Sequence, residues 1–246
     1  CIFLVLIYPI TLPQREKMPS TVWIQFVKLP LLGKVKTRLA ATIGDEAALV
    51  AHKRLTIAVN TQLSRYISEQ GNDHIQHLWL GVGGVGGHTS DSAYQSGLDV
   101  YKQQGLIFQE AFLQDGQTLG DRMRVALGKG LEVADRAFIV GSDFPVLDLD
   151  YLASAEEALS HADVVLGATE DGGYGLIGLK RPNTAGDNLP LSLSGFRDVL
   201  WGTDEVCQQT QDIMRSAGLK THLLATRFDV DDEVDWRRWQ ASAWNN

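Results

Sequence analysis

From Thr21 onward the chain repeats one pattern: an apolar run of strand length, then a longer stretch whose apolar residues recur every three or four positions. A strand followed by a helix must cross over before the next strand is laid down. Repetition of that unit builds an α/β fold with a mostly parallel sheet covered by helices on both faces. Val22–Val27, His77–Val82, Leu106–Glu110, Ala137–Val140, Asp163–Gly167, Tyr174–Leu179 and Thr221–Ala225 read as strands. Asp45–Glu69, Ser90–Gln103, Thr118–Ala134, Leu149–Ser160 and Thr203–Ser216 read as helices. In the first helix Ala47, Val50, Ala51, Leu55, Ala58, Val59 and Leu63 form an apolar stripe; in the third, Leu119, Met123, Ala126 and Leu127 do so. Tyr174–Leu179 follows its predecessor too closely for a crossover helix, so an antiparallel or irregular pairing is expected there and the sheet is mixed.

No Pro/Ser-rich linker or internal repeat divides the chain, and 246 residues with 44% hydrophobic composition suffice for one substantial core. Residues 21–246 are therefore expected to form a single domain, with Arg181–Gly195 as a long loop able to act as a flap. Residues 1–20 are expected to be an N-terminal extension outside the core. Their apolar run, CIFLVLIYPITLP, is broken by two prolines and is shorter than the roughly 20 residues of a membrane span. Met18 reads as the natural start; a lipoprotein-type or membrane-anchoring remnant is the other reading. No later segment could span a bilayer. A net charge of −8 argues against general nucleic-acid binding, which needs a basic face. Two cysteines, Cys1 and Cys207, make neither a disulfide framework nor a zinc cluster, which fits a reducing cytoplasm.

Three segments could carry chemistry. The first is the loop after the first strand, Lys28 to Arg38, where Lys28, Lys34, Lys36 and Arg38 crowd around Pro30 and Gly33. A basic loop at a strand's carboxyl end suits phosphate binding, and a solvated basic turn is the alternative. It lacks the spacing of a Walker A loop. The second is Ala137 to Pro145, an apolar strand ending in Gly-Ser-Asp143. Asp143 there is either a hard oxygen ligand for Mg²⁺ or Mn²⁺ or a turn and N-cap residue. The third is Glu170-Asp171-Gly172-Gly173-Tyr174, a site for a base or sugar contact or else an ordinary Asp-Gly turn. Gly81–Gly86 matches G-x-G-x-x-G, but Gly87-His-Thr-Ser-Asp delays the helix that a dinucleotide needs. His74 and His77 have no ligand set around them and read as surface histidines. Arg227 to Trp236 is acidic and then aromatic, a turn before a last helix with Trp236 and Trp239 on one face; Asp229 or Asp231 there can supply a second metal carboxylate.

FVKLPLLGKVKTRLA, QDGQTLGDRM, FIVGSDFPVL, VLGATEDGGYGLIGL, WGTDEV and FDVDDEVDW, in that order, resemble a bacterial glycosyltransferase-like family associated with radical-SAM and selenoprotein gene neighbourhoods and with arsenosugar biosynthesis. The resemblance runs from Val22 to about Trp239. It implies the Rossmann-like GT-A fold of the nucleotide-diphospho-sugar transferase superfamily, a nucleotide-sugar donor and a small-molecule acceptor. It also implies that Lys28, Lys36 and Arg38 contact the donor phosphates, and that Asp143 is the metal-binding acid in place of the better-known D-x-D; Asp231 is the second metal carboxylate offered by the residues themselves. Gln114, Gly120, Asp121 and Arg122 would line the nucleotide or the cleft wall, and Asp171, Gly172, Gly173 and Tyr174 would face the acceptor. Two residues depart from the pattern: Phe144 stands where a smaller residue is usual and Gly175 where a second aromatic is common. The first loop also resembles that of 2-phospho-lactate guanylyltransferase, which keeps nucleotidyl transfer with release of pyrophosphate open as an alternative. A non-catalytic nucleotide-binding regulatory domain is the alternative of another class.

Overall fold

The computed structural model describes residues 20–81, 90–181 and 194–245. Strand β1 (Thr21–Lys28) is buried along all but its last residue, because strands lie on both sides of it. It is followed by α1 (Thr37–Ile43), α2 (Asp45–Gln70), β2 (His74–Gly81), α3 (Asp91–Gln103), β3 (Glu110–Leu113), α4 (Leu119–Val133), β4 (Arg136–Gly141) and α5 (Leu149–Ala158). Then come β5 (Val164–Ala168), β6 (Tyr174–Lys180), α6 (Val206–Ser216), β7 (Thr221–Leu223) and α7 (Glu233–Gln240). The sheet order is β3-β2-β1-β4-β6-β5-β7. Every neighbouring pair is parallel except the two that involve β6. All strands but β6 therefore end on one edge of the sheet.

Alternate residues of each strand feed two apolar layers, as the period of a pleated strand requires. Trp23, Phe138, Val140 and Val165 pack under α1, α2, α5 and α7. Val22, Ile24, Ile139, Val164 and Leu166 pack under α4, α6 and the short turn Ser194–Arg197. A third cluster joins α3 to β1 and β2 through Leu78, Leu80, Leu98 and Tyr101. The result is the mixed-sheet, helix-covered α/β architecture read from the alternation, with β6 antiparallel as expected.

Several expectations need correction. The strand expected at Leu106–Glu110 begins only at Glu110. Ile107 instead donates to Asn60 Oδ1 at 2.8 Å and accepts from Asn60 Nδ2 at 3.0 Å, so a side chain takes the bonds that a strand neighbour would use. Strand β2 starts at His74, not His77, and the two histidines are not on the surface. His77 is buried, and His74 is held against Glu156 at 2.8 Å beneath α5. The α2 stripe is also rotated: Ala47 and Val50 face solvent, whereas Ala48, His52, Thr56 and Asn60 join the buried face. Leu119 is likewise exposed at the start of α4. Helix α1 takes up the end of the expected basic loop, and α6 begins at Val206 rather than Thr203. Ser20 belongs with the sheet, donating to Asp73 O and accepting from Arg136 N. Residues 82–86 of the G-x-G-x-x-G segment and most of the expected flap, residues 182–193, lie outside the described residues, as do residues 1–19.

Candidate active site at the carboxyl edge of the sheet

The basic loop leaves β1 at Lys28 and is pinned by two buried apolar residues, Leu29 and Val35. Between Val35 and α1 the backbone turns through Lys36, whose φ of 48° is the one left-handed value at a non-glycine residue among those described. That turn sends the side chain into the protein. Its Nζ lies 2.7 Å from Asp143 Oδ1 and 3.5 Å from Asp231 Oδ1, and it donates to Val230 O. Arg38, the second residue of α1, stays exposed and reaches Asp231 Oδ2 at 3.0 Å. The opening loop and Asp143 thus meet on one side of the molecule, although Lys36 is engaged by carboxylates rather than left open to solvent.

Asp143 follows β4 in a tight turn, with Phe144 N donating to Gly141 O at 3.2 Å and Ser142 N to Phe26 O at 3.0 Å. Its backbone carbonyl accepts from Val230 N at 2.9 Å, and this bond lays the Phe228–Asp231 segment across the end of β4. Burial pushes the Asp143 carboxyl up. The charges of Lys36, Lys28 and His52 outweigh burial and hold it down, at about 2. The helix α5 is capped by Asp148, whose Oδ1 accepts from Tyr151 N at 2.7 Å, so Asp143 is not the N-cap.

The Glu170–Gly173 turn closes the same edge. Thr169 N donates to Gly173 O at 3.0 Å, and Asp171 Oδ1 accepts from Thr169 Oγ1 at 2.6 Å and Gly173 N at 3.0 Å. Asp171 therefore shapes its own turn, as the local reading expects. Gly172 has a φ of 85°, and a Cβ there would lie 1.9 Å from Asp204 O, so only glycine fits. The C-terminal segment runs beside this turn, with Glu170 N donating to Arg227 O. It carries Asp229, whose carboxyl is pushed up to about 7 by burial first, then by the charges of Asp171 and Asp231. Four carboxylates, Asp143, Asp171, Asp229 and Asp231, thus share one electrostatic neighbourhood with Lys36.

The remaining expected residues are each held by contacts of their own. Gln114 bridges strand ends, donating to Trp79 O at 2.9 Å and Val27 O at 3.3 Å. Asp121 forms a capping box with Thr118 and pairs with Arg197 at 2.9 Å. Gly120 lies against the backbone of Phe196, and Arg122 Nε donates to Gly116 O. Tyr174 packs on Trp201 in the apolar layer under α6.

Sequence reading missed the buried polar residues behind the site. Gln25 donates to Thr56 O at 2.9 Å and Ser142 Oγ at 3.1 Å, and its Oε1 accepts from Asn60 Nδ2 at 3.0 Å. His52 Nε2 lies 2.9 Å from both Lys28 O and Tyr101 Oη, and burial lowers the affinity of its ring for a second proton. These contacts fix the ends of β1 and β4, where Lys28 and Asp143 sit. The signal was present as polar residues at four-residue spacing, His52, Thr56 and Asn60, on a helix otherwise read by its apolar residues.

Comparisons with known proteins agree on the fold. A family described as "Uncharacterized protein conserved in bacteria (DUF2064)" matches residues 87–203, just under half of the chain. No curated protein matches. A solved structure from Desulfovibrio desulfuricans G20, provisionally described as a nucleotide-diphospho-sugar transferase, superimposes with a TM-score of 0.72 at 27% identity, covering 93% of this chain and 91% of that one. Rv0371c from Mycobacterium tuberculosis H37Rv gives a TM-score of 0.51 at 13% identity, over 92% and 99% of the two chains. The 4-diphosphocytidyl-2C-methyl-D-erythritol synthase from Anaerococcus prevotii DSM 20548 gives 0.53 at 9%, over 90% and 95%. The last two likenesses concern the fold alone. No helix among the described residues is long and apolar enough to cross a membrane.

Proposed function

We propose that this chain is a divalent-metal-dependent transferase of GT-A type that uses a nucleotide-activated donor, moving a glycosyl unit from a nucleotide-sugar to a small acceptor. The observation that carries this reading is the meeting of Lys36, Asp143 and Asp231 at the carboxyl edge of a mostly parallel sheet, where open α/β sheets bind ligands. The likeness to the D. desulfuricans protein supports a nucleotide-sugar donor. So does the resemblance to the arsenosugar-associated family.

The residues present fit a hard cation. Asp143, Asp171, Asp229 and Asp231 face Lys36 and Arg38, and the Asp229 carboxyl is raised by burial first and then by the charges of Asp171 and Asp231. No three His, Cys, Asp or Glu side chains among the described residues enclose a metal by themselves, so Asp143 and Asp231 would hold Mg²⁺ or Mn²⁺ with oxygens of the substrate completing the shell. Such an ion supplies neutralisation of the charge that develops on the departing nucleotide diphosphate. Lys28, Lys36 and Arg38 would donate to the diphosphate oxygens, and Gln114 would line the cleft beside them. Asp171, fixed by Thr169 and Gly173, would orient the acceptor hydroxyl and take its proton as the acceptor oxygen bonds to the sugar and the bond to the diphosphate breaks. Gly172 and Gly173 would present backbone to the acceptor.

A panel of nucleotide-sugars and nucleoside triphosphates, each with and without Mn²⁺, tests the reading. Release of a nucleoside diphosphate from a nucleotide-sugar is the expected result. Release of pyrophosphate from a triphosphate would make the chain a nucleotidyltransferase, and binding without turnover a regulatory domain. Asp143→Asn is expected to weaken metal-dependent donor binding by about 100-fold in calorimetry while the circular dichroism spectrum is retained. Retained metal-dependent affinity would remove Asp143 from the ligand role.

A further inference from the structure

We propose that Lys36 is the stand-in cation of this site: it holds Asp143 and Asp231 in the ligand-free protein and yields them to a divalent ion only when a diphosphate arrives to take over its own charge. This rests on the function proposed above and specifies how the site is loaded. The Lys36 side chain is 3% exposed, whereas those of Asp143 and Asp231 are 33% and 40% exposed. The ammonium thus reaches both carboxylates from the protein side, while their outer faces stay open to solvent. Its contacts are Asp143 Oδ1, Asp231 Oδ1 and the carbonyl of Val230.

The consequence is a coupling of two ligands. A divalent ion alone meets an ammonium already 2.7 Å from its first carboxylate, and displacing it leaves a buried cation with only Val230 O. A diphosphate alone meets Asp143, Asp171, Asp229 and Asp231 at the same edge, and like charges repel. Together, the ion replaces the ammonium on the carboxylates and the phosphate replaces the carboxylates on the ammonium. Each ligand therefore raises the affinity for the other by the same factor. Lys36 is the N-cap of α1, at a loop–helix junction, and the proposed exchange is a movement of its side chain.

Mn²⁺ binding to the full chain, followed by the electron paramagnetic resonance of free Mn²⁺, tests this with and without inorganic pyrophosphate, the Mn²⁺–pyrophosphate complex in solution being accounted for. In the wild type, pyrophosphate is expected to tighten Mn²⁺ binding about tenfold or more. Lys36→Gln is expected to bind Mn²⁺ alone about tenfold tighter than the wild type and to lose most of that coupling. Mn²⁺ binding by Lys36→Gln no tighter than by the wild type overturns the proposal, as does a wild-type Mn²⁺ affinity that ignores pyrophosphate. If circular dichroism shows Lys36→Gln to be unfolded, Lys36→Met, of similar length and without the charge, takes its place and is held to the same expected outcome. A wild type that binds neither Mn²⁺ nor pyrophosphate removes the proposed function too. A wild type that turns over a nucleotide-sugar with Mn²⁺, beside an unchanged Lys36→Gln affinity, removes only the exchange.

Discussion

Phe144 and Gly175 depart together from the pattern that the chain otherwise resembles, and the structure makes them one feature. The Phe144 ring lies on the Gly175 backbone so closely that a Cβ at 175 would stand 2.1 Å from Phe144 Cγ. An aromatic beside Asp143 fills the space that an aromatic at 175 would occupy. Gly175→Ala is expected to cost about 1–3 kcal/mol through overpacking, and Phe144→Ala about 3–5 kcal/mol through the cavity it leaves. The double variant should cost less than the sum, as read by urea denaturation; strict additivity would mean that the two do not compete for space. Gly172 is more constrained, since its φ of 85° and the nearby Asp204 carbonyl both exclude a side chain. Gly172→Ala is expected to lose at least about 2 kcal/mol, and a wild-type melting curve would contradict the tight docking of this turn on the Asp204 loop.

Helix α2 is where elements are tied to one another. Its polar face carries the Gln25–Asn60 network toward Ser142, and its far end joins a second buried cluster through Tyr66. Glu156 of α5 accepts from Tyr66 Oη at 2.7 Å and meets His74 Nε2 of β2 at 2.8 Å. Burial pushes the Glu156 carboxyl up, but the hydrogen bonds of His74 and Tyr66 prevail and hold it below its ordinary value of 4.5. A carboxyl depressed in the folded state stabilises the fold above its unfolded value and loses that contribution as pH falls through the folded one. Glu156→Gln is accordingly expected to lose about 2 kcal/mol near neutrality. Its deficit relative to the wild type should shrink once pH drops below about 4, as urea midpoints at two pH values will show. A deficit that does not change with pH would leave the charge of Glu156 with no part in it.

For the whole molecule, the carboxyl edge of the sheet is where the candidate site is assembled. Trp23 in the central strand and Trp236 and Trp239 in the last helix belong to one apolar cluster, so the C-terminal segment that brings Asp229 and Asp231 to the site packs on the same core as β1. Residues 21–246 as a single domain predict one unfolding transition, superimposable by tryptophan fluorescence and by far-ultraviolet circular dichroism. Separated transitions would divide the chain into two units.

The order of the strands and of the longer helices between them, and the reversal at β6, were legible in the sequence, because they follow from apolar period and chain length between runs. Only the tertiary structure decided where β3 begins, since Asn60 claims the Ile107 backbone from 47 positions away. Only it showed His74 and His77 to be interior and α2 to bury polar residues, because burial depends on what covers a strand or helix and not on its own hydropathy. The same holds for the site. The sequence offered Lys36, Asp143 and Asp231 as separate candidates on three segments, and folding alone brought a buried ammonium to within salt-bridge reach of both carboxylates. That contact is a matter of distance in space, which no spacing along the chain encodes.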